Sequence, residues 1–263
     1  MRKFKLLLEY EGTRYVGWQI QPNGLAIQQV LEEALKTITK KKVRVIGSGR
    51  TDSGVHAEGQ VAHFTTASKM TPFQFMKALN SLLPFDIAAL AVEEVPAEFH
   101  AQKSATGKIY RYTILNRDHP TALNQKYCWY IPHKLNLPAM RQAARYLVGR
   151  HDFSAFRATN CSAKTPVRHL RSLDVRKRGD YLIFEFEGEG FLKHMIRIIM
   201  GTLEEVGRGR RSAAGVKELL ESKDRRQAGA TAPAQGLTLV TVFYPASPRT
   251  PLGRKRKSAK KGG

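Results

Sequence analysis

The order in which hydrophobic periodicity changes along the chain constrains its fold more than any other feature. Phe4, Leu6, Leu8 and Tyr10 alternate with Lys3, Lys5 and Glu9, the period of two that a half-buried strand requires. Ile27, Val30, Leu31, Ala34, Leu35 and Ile38 then recur on one helical face. Residues 43–46 and 61–66 read as strands, 71–83 as a helix and 87–95 as an apolar strand. The second half runs through a similar order with additions. It has strands over 108–115 and 128–131, a helix over 137–148, and a hairpin of 169–177 with 181–187 turning at Arg178-Gly179-Asp180. Helices over 191–206 and 212–222 follow, and a strand over 237–244 closes the pattern.

The first order, β-α-β-β-α-β, is the split pattern of a ferredoxin-like unit. No sequence motif repeats between the halves; only the order of elements does. The pattern predicts an α+β fold of two ferredoxin-like halves, a pseudo-repeat of 1–105 and 106–246. They form one extended, mostly antiparallel sheet with helices packed on it and a central basic cleft. The remaining residues, 247–263, are low in complexity and cationic, and read as a disordered tail.

Charge narrows the function. Lysine and arginine number 44 against 22 acidic residues, a formal net charge of +22. The segment Arg249 to Gly263 holds seven basic residues and no acidic one, yet the rest of the chain still carries +15. So positive a body calls for a polyanion, with nucleic acid first in line. A membrane surface would call for an amphipathic cationic helix or a lipidation signal, and the sequence carries neither. Cys128 and Cys161 make no C-x-x-C pair and no zinc-like cluster, so both read as free thiols. The apolar run at the N-terminus ends at Glu9, short of a secretory core, and no stretch approaches the ~20 apolar residues of a membrane helix. The expectation is a cytoplasmic protein without a membrane partner.

Between two predicted strands, Gly47, Gly49 and Gly54 bracket Arg50 and Asp52. Glycines allow tight backbone geometry, and loops held between strands often carry function. Arg50 and Asp52 are two apart and share a side in extended chain, where a guanidinium favours an ionised carboxylate. An ionised, oriented carboxylate without a metal suits nucleophilic attack. Taken alone, the segment reads first as an ordinary turn with Asp52 bonding the backbone two residues on. Asp52-Ser53-Gly54 also matches the triplet of aspartic proteases, whose chemistry needs two carboxylates sharing one proton. There is no second copy, and the adjacent arginine opposes sharing.

The match extends well beyond this segment. Gly49-Arg-Thr-Asp-Ser-Gly-Val-His-Ala57 with Gly59-Gln60 and Val61-x-His63-Phe64 resembles the signature of the tRNA pseudouridine synthase A family. Tyr10-Glu-Gly12 with Tyr15-Val-Gly-Trp-Gln19 is similar to that family's N-terminal motif, and Phe99-His100-Ala101 through Lys108-Ile-Tyr-Arg-Tyr112 to its central one. His151-Asp-Phe-Ser-Ala-Phe-Arg157, Cys161 with Lys164-Thr-Pro-Val-Arg168, Gly190-Phe-Leu-Lys-His-Met-Ile-Arg197 and Ala232-Pro-Ala-x-Gly-Leu237 complete the resemblance. It covers residues 3 to about 245 in order.

The resemblance implies isomerisation of uridine to pseudouridine at positions 38 to 40 of the tRNA anticodon stem-loop. The reaction gains and loses no atom, so neither cofactor nor metal is expected. It implies Asp52 as nucleophile, with the atom attacked left open, and Arg197 as its partner. Arg50 is the other guanidinium, placed to hold the flipped nucleotide or the displaced strand. Tyr110 is implied as the active-site tyrosine, offering a flat face to an extracted uracil. On a strand Lys108 shares its side. Arg14, Arg157, Lys164 and Arg168, with Lys103, Lys193 and His194, are candidates for phosphate contacts, whereas His56 and His63 read as structural histidines. The family is homodimeric, which suggests that two subunits contact one tRNA. Two rival readings share the fold: a synthase acting on another structured RNA, and a noncatalytic RNA-binding protein.

Overall fold

The computed structural model describes residues 1–245, and the tail expected over 247–263 lies outside them. Ten strands form one sheet in the order β4-β1-β3-β10-β5-β9-β8-β7, with β2 beside β3 and β6 beside β5. The first half supplies β1 (Arg2–Tyr10), α1 (Ile27–Thr39), β2 (Ile46–Gly47), β3 (His56–Thr66), α2 (Pro72–Leu82) and β4 (Ile87–Val95). The second supplies β5 (Gly107–Asn116), β6 (Trp129–Ile131), α3 (Leu137–Arg145), β7 (Gly149–Asp152), β8 (Val167–Arg178), β9 (Tyr181–Gly188), α4 (Met195–Gly207), α5 (Ala214–Ser222) and β10 (Leu237–Phe243). Most pairings are antiparallel; β10 with β3 and β5 with β6 are parallel.

The last strand in sequence therefore lies at the centre of the sheet. β10 pairs with β3 through Thr238↔His56 and Leu239↔Ala57, and with β5 through Leu239↔Tyr110. Residues opposite one another share a face, so Tyr10, Ala57, Leu239, Tyr110 and Phe186 form one row across both halves. All five are buried. The side chains of Phe4 and Phe64 stack on this face and meet Phe75 of α2. The opposite face carries cross-strand charge: Arg111 pairs with Glu58 and Glu185, and Arg176 pairs with Glu185. One covered face and one wetted face is the usual economy of an antiparallel sheet.

Three local expectations need correction. Of the strand expected over 43–46 only Ile46 is paired, in a two-residue strand it forms with Gly47. The amide of Val45 instead donates to the Glu32 carboxylate at 2.9 Å, and its carbonyl accepts from Gln28 at 3.0 Å, so α1 side chains take the bonds a ladder would have used. The helix expected from residue 191 begins at Met195, because His194 has a left-handed φ of 61° and a turn closes from Met195 N–H to the Leu192 carbonyl at 3.1 Å. Finally, β7 falls within a stretch expected to be irregular, its Gly-Arg-His-Asp sequence having no apolar alternation to reveal it. No helix among the described residues is long and apolar enough to cross a membrane.

Candidate active site

The segment from Ser48 to Val55 leaves β2, turns beside the sheet centre and enters β3, and a buried polar network holds it. Ser48 donates its amide to the Val61 carbonyl at 2.7 Å and its hydroxyl to the Gln60 side-chain oxygen at 2.7 Å. The Gln60 amide then donates to the Gly49 carbonyl at 3.0 Å. The Tyr10 hydroxyl and the Thr51 hydroxyl lie 2.8 Å apart. Ser48, Gln60 and Thr51 are all buried, so these bonds also satisfy groups that water does not reach.

A second loop clamps the segment from the other side. The Thr51 carbonyl accepts from Trp18 N–H at 3.1 Å, and the Tyr15 carbonyl accepts from Gly54 N–H at 3.3 Å and from the Ser53 hydroxyl at 3.2 Å. Gly17 permits this approach: its φ is +107°, and a Cβ there would stand 2.5 Å from the Thr51 carbonyl oxygen. Asp52 closes a turn of its own, accepting from Val55 N–H at 3.1 Å.

So held, Asp52 directs its carboxylate towards the start of α4. Its Oδ2 lies 3.4 Å from an Arg197 guanidinium nitrogen and 3.7 Å from His194 Nε2. Arg197 is tethered in turn, donating Nε to the Ala232 carbonyl at 2.8 Å, while Ala232 N–H returns a bond to the Arg197 carbonyl at 3.0 Å. The loop before β10 is thus tied to α4 at the residue that meets Asp52. Gly201 sits flush against the Ala230 carbonyl, and Gly229 donates to the Thr202 hydroxyl at 3.0 Å, extending the joint along one helical turn. Burial lowers the pKa of His194 and the Asp52 carboxylate pulls it upward; Arg197, Lys193 and Arg225 push it down again.

Tyr110 faces the same space from β5. Its ring meets the edge of Phe191 at 5.4 Å, and burial, followed by nearby Tyr10 and Asp52, raises its phenol well above the ordinary range. Lys108, two residues before it, reaches across to donate to the Ser48 carbonyl at 2.8 Å, and burial lowers its pKa to about 8.

The other expected residues divide by what they touch. Arg50 is exposed, and among the described residues no hydrogen bond or ion pair joins it to Asp52; Arg197 holds that place. Arg157 donates to the carbonyls of Cys161 at 2.6 Å and Ala163 at 3.0 Å, and Arg168 to those of Val167 at 2.6 Å and Thr165 at 2.9 Å. Both brace the loop that leads into β8. Arg14 pairs with Asp86 at 3.3 Å, while Lys164, Lys103 and Lys193 are exposed. His56 accepts from Gly12 N–H at 3.0 Å on Nδ1 and lies 2.7 Å from the Lys126 carbonyl on Nε2, so the neutral ring bridges two backbone segments. His194 beside Asp52, and the grip of Ala232 on Arg197, went unread in the sequence. The only signal was that His194 stands three residues before Arg197, one helical turn away.

Comparison with known proteins identifies the family. A family model described as tRNA pseudouridine synthase matches residues 7–102 and 143–245, which include Asp52, His194, Arg197 and Ala232. A protein of Geobacter sp. (strain M21) named tRNA pseudouridine synthase A is 50% identical over 246 residues, 93% of this chain and 100% of that one. Its namesake in Myxococcus xanthus is 50% identical over 256 residues, 96% of this chain and 97% of that one. In Clostridium perfringens, tRNA pseudouridine synthase A 2 is 46% identical over 244 residues, 93% and 100% of the two chains. The loop that presents Asp52, the helix that answers it and the strand between them all lie within the matched length, and the chain belongs to the tRNA pseudouridine synthase family.

Proposed function

We propose that the protein isomerises uridine to pseudouridine at positions 38 to 40 of the tRNA anticodon stem-loop, with Asp52 as the nucleophile. The observation that carries this reading is the Asp52 carboxylate, fixed by Arg197 at 3.4 Å beside the buried Tyr110 in a family member. In the reaction the bond from C1′ to N1 breaks and a bond from C1′ to C5 forms. The proton on C5 leaves and N1 gains one, so no oxidant, reductant or external group enters.

Each neighbour has a task in that sequence. Extracting a uridine from its stack costs a few kcal/mol, roughly, which contacts to the backbone must offset. Arg50, exposed on the same loop, holds the flipped nucleotide or the displaced strand. Tyr110 supplies a flat wall against which the freed uracil turns, and Lys108 secures the loop behind it. Arg197 orients the carboxylate by a charge-assisted contact, the stronger kind. The halves 1–105 and 106–246 flank the cleft that receives the stem-loop. The enzyme works in the cytoplasm as a homodimer with both subunits on one tRNA, and sedimentation of the free protein as a dimer is the expected result.

The test uses purified protein, unmodified tRNA with uridines at 38 to 40, and pseudouridine mapping. Wild type is expected to convert these positions, and Asp52→Asn to convert none while still binding tRNA. Full activity in Asp52→Asn removes it as nucleophile; loss of binding together with activity makes it structural. Conversion in other structured RNAs but not in the anticodon arm would favour the rival substrate.

A further inference from the structure

Phe85 is 91% exposed, on the short connection between α2 and β4. A single exposed aromatic is common and by itself means little. Its surroundings set this one apart. The Arg14 guanidinium lies over the ring, 5.8 Å from its centroid. Arg14 is in turn held by the carboxylate of Asp86 at 3.3 Å, and that side chain is only 1% exposed while Arg14 remains 59% exposed. The other Asp86 oxygen accepts from the Tyr15 hydroxyl at 2.5 Å. A buried carboxylate thus fixes one edge of the guanidinium and leaves the rest in solvent beside an exposed ring.

This pair is tied through Tyr15 to the loop that carries Asp52. Tyr15 bonds by its side chain to the residue after Phe85 and by its carbonyl to Ser53 and Gly54, the two residues after Asp52. One tyrosine therefore ties the exposed pair to the loop of the proposed nucleophile.

We propose that Phe85 and Arg14 form a stacking platform for an unpaired nucleobase of the tRNA substrate, outside the pocket that takes the reacting uridine. The chemistry suits such a ligand. Every base offers a π face to an aromatic ring or a guanidinium plane, and single-stranded loops are where bases are free to be splayed onto such surfaces. The strongly positive chain draws the polyanion in. An arginine already paired to a carboxylate has less charge to spend on a phosphate and keeps its plane for stacking. The proposal rests on the tRNA reading above and adds a second anchoring point to it.

The experiment compares wild type, Phe85→Ala, Phe85→Trp and Arg14→Gln in tRNA binding and in conversion at 38 to 40. Because Phe85 packs against almost nothing, Phe85→Ala should melt at the wild-type temperature. It is expected to weaken tRNA binding by roughly 5- to 150-fold, the range of a lost base–aromatic stack, and to raise KM more than it lowers kcat. Phe85→Trp should restore binding, and the salt dependence of Phe85→Ala should keep the wild-type slope, since no charge is lost. Equal binding by Phe85→Ala and wild type overturns the platform, as does a dimer that dissociates on this substitution, which would make the ring a subunit contact. A steeper loss in Arg14→Gln than in Phe85→Ala, with a reduced salt slope, also overturns it in favour of a plain phosphate contact. If wild type itself converts no tRNA, the functional reading fails instead.

Discussion

Two nitrogen-bearing side chains, the Arg197 guanidinium and the His194 imidazole, approach the same oxygen of Asp52, but they are held differently. Arg197 has a second engagement, to the Ala232 carbonyl at 2.8 Å, whereas among the described residues the His194 side chain makes no hydrogen bond and only approaches Asp52 at 3.7 Å. A guanidinium spans both partners because its donors form a rigid fork; an ammonium is a single point. Arg197→Lys is therefore expected to lose about 100-fold in kcat/KM, the order associated with small misplacements of a reacting group. It should bind tRNA nearly as well as wild type, and single-turnover rates with saturating enzyme would separate the two effects. Wild-type turnover in this variant would show that the fork has no part in the chemistry.

At this scale the sequence was legible mainly through the resemblance. The motifs named Asp52, Arg197 and Tyr110, and the local chemistry alone left the segment as an ordinary turn. The inference from spacing that Arg50 and Asp52 share a side presumed an extended backbone. Thr51 instead turns inward to Tyr10, Arg50 outward into solvent, and Asp52 bends towards α4.

Among the elements, those with strong periodicity were read to within a few residues. α1, α2, β4, β5 and the β8–β9 hairpin lie where the apolar spacing predicted them. The shifts arose where something other than periodicity decided the backbone. Leu192 is buried in a turn much as it would be in a helix, so an apolar stripe does not reveal that His194 breaks the helical path. Val45 is buried like a strand residue although side chains of α1 hold its backbone.

The loop containing Gly17 gives an element-scale test. Gly17→Ala must place a methyl group 2.5 Å from the Thr51 carbonyl oxygen on a backbone of φ +107°, so the loop has to move. The expected cost is about 1–3 kcal/mol, or a fall in Tm of roughly 2–9 °C for a chain of this size. Activity should fall further than stability alone explains, because Thr51 adjoins Asp52. Thermal melts and kcat measured well below Tm would show both. An unchanged melt would mean the clamp is looser than its geometry.

Across the whole molecule, His63 braces the segment by which the first half leads into the second. Its Nδ1 accepts from Ala101 N–H at 3.1 Å, on the segment that leads from β4 to β5. Burial lowers its pKa to about 4, with His100 and Lys3 pushing the same way. An unfolded histidine titrates near ~6.5, so on acidification the unfolded chain binds a proton before the folded one does. The stability His63 contributes is present above about pH 6.5 and drains as pH falls towards 4. Tm should drop across that window, and His63→Asn, which keeps an acceptor but cannot titrate, should flatten the drop. A parallel fall in both proteins would assign the acid sensitivity elsewhere. The two-half order was visible in the sequence, but the neighbours of the final strand were not: periodicity identifies a strand without saying what it pairs with.

That final strand governs when the protein can first work. β10 stands between β3, which follows the Asp52 loop, and β5, which carries Tyr110, and the loop before it holds Arg197. A growing polypeptide on the ribosome has made both flanking strands long before it makes residues 237–243. Until those residues clear the exit tunnel, the two sides of the site have no common seam. The surroundings of Asp52 are thus completed only once residues 237–243 have been made, the last strand among the described residues.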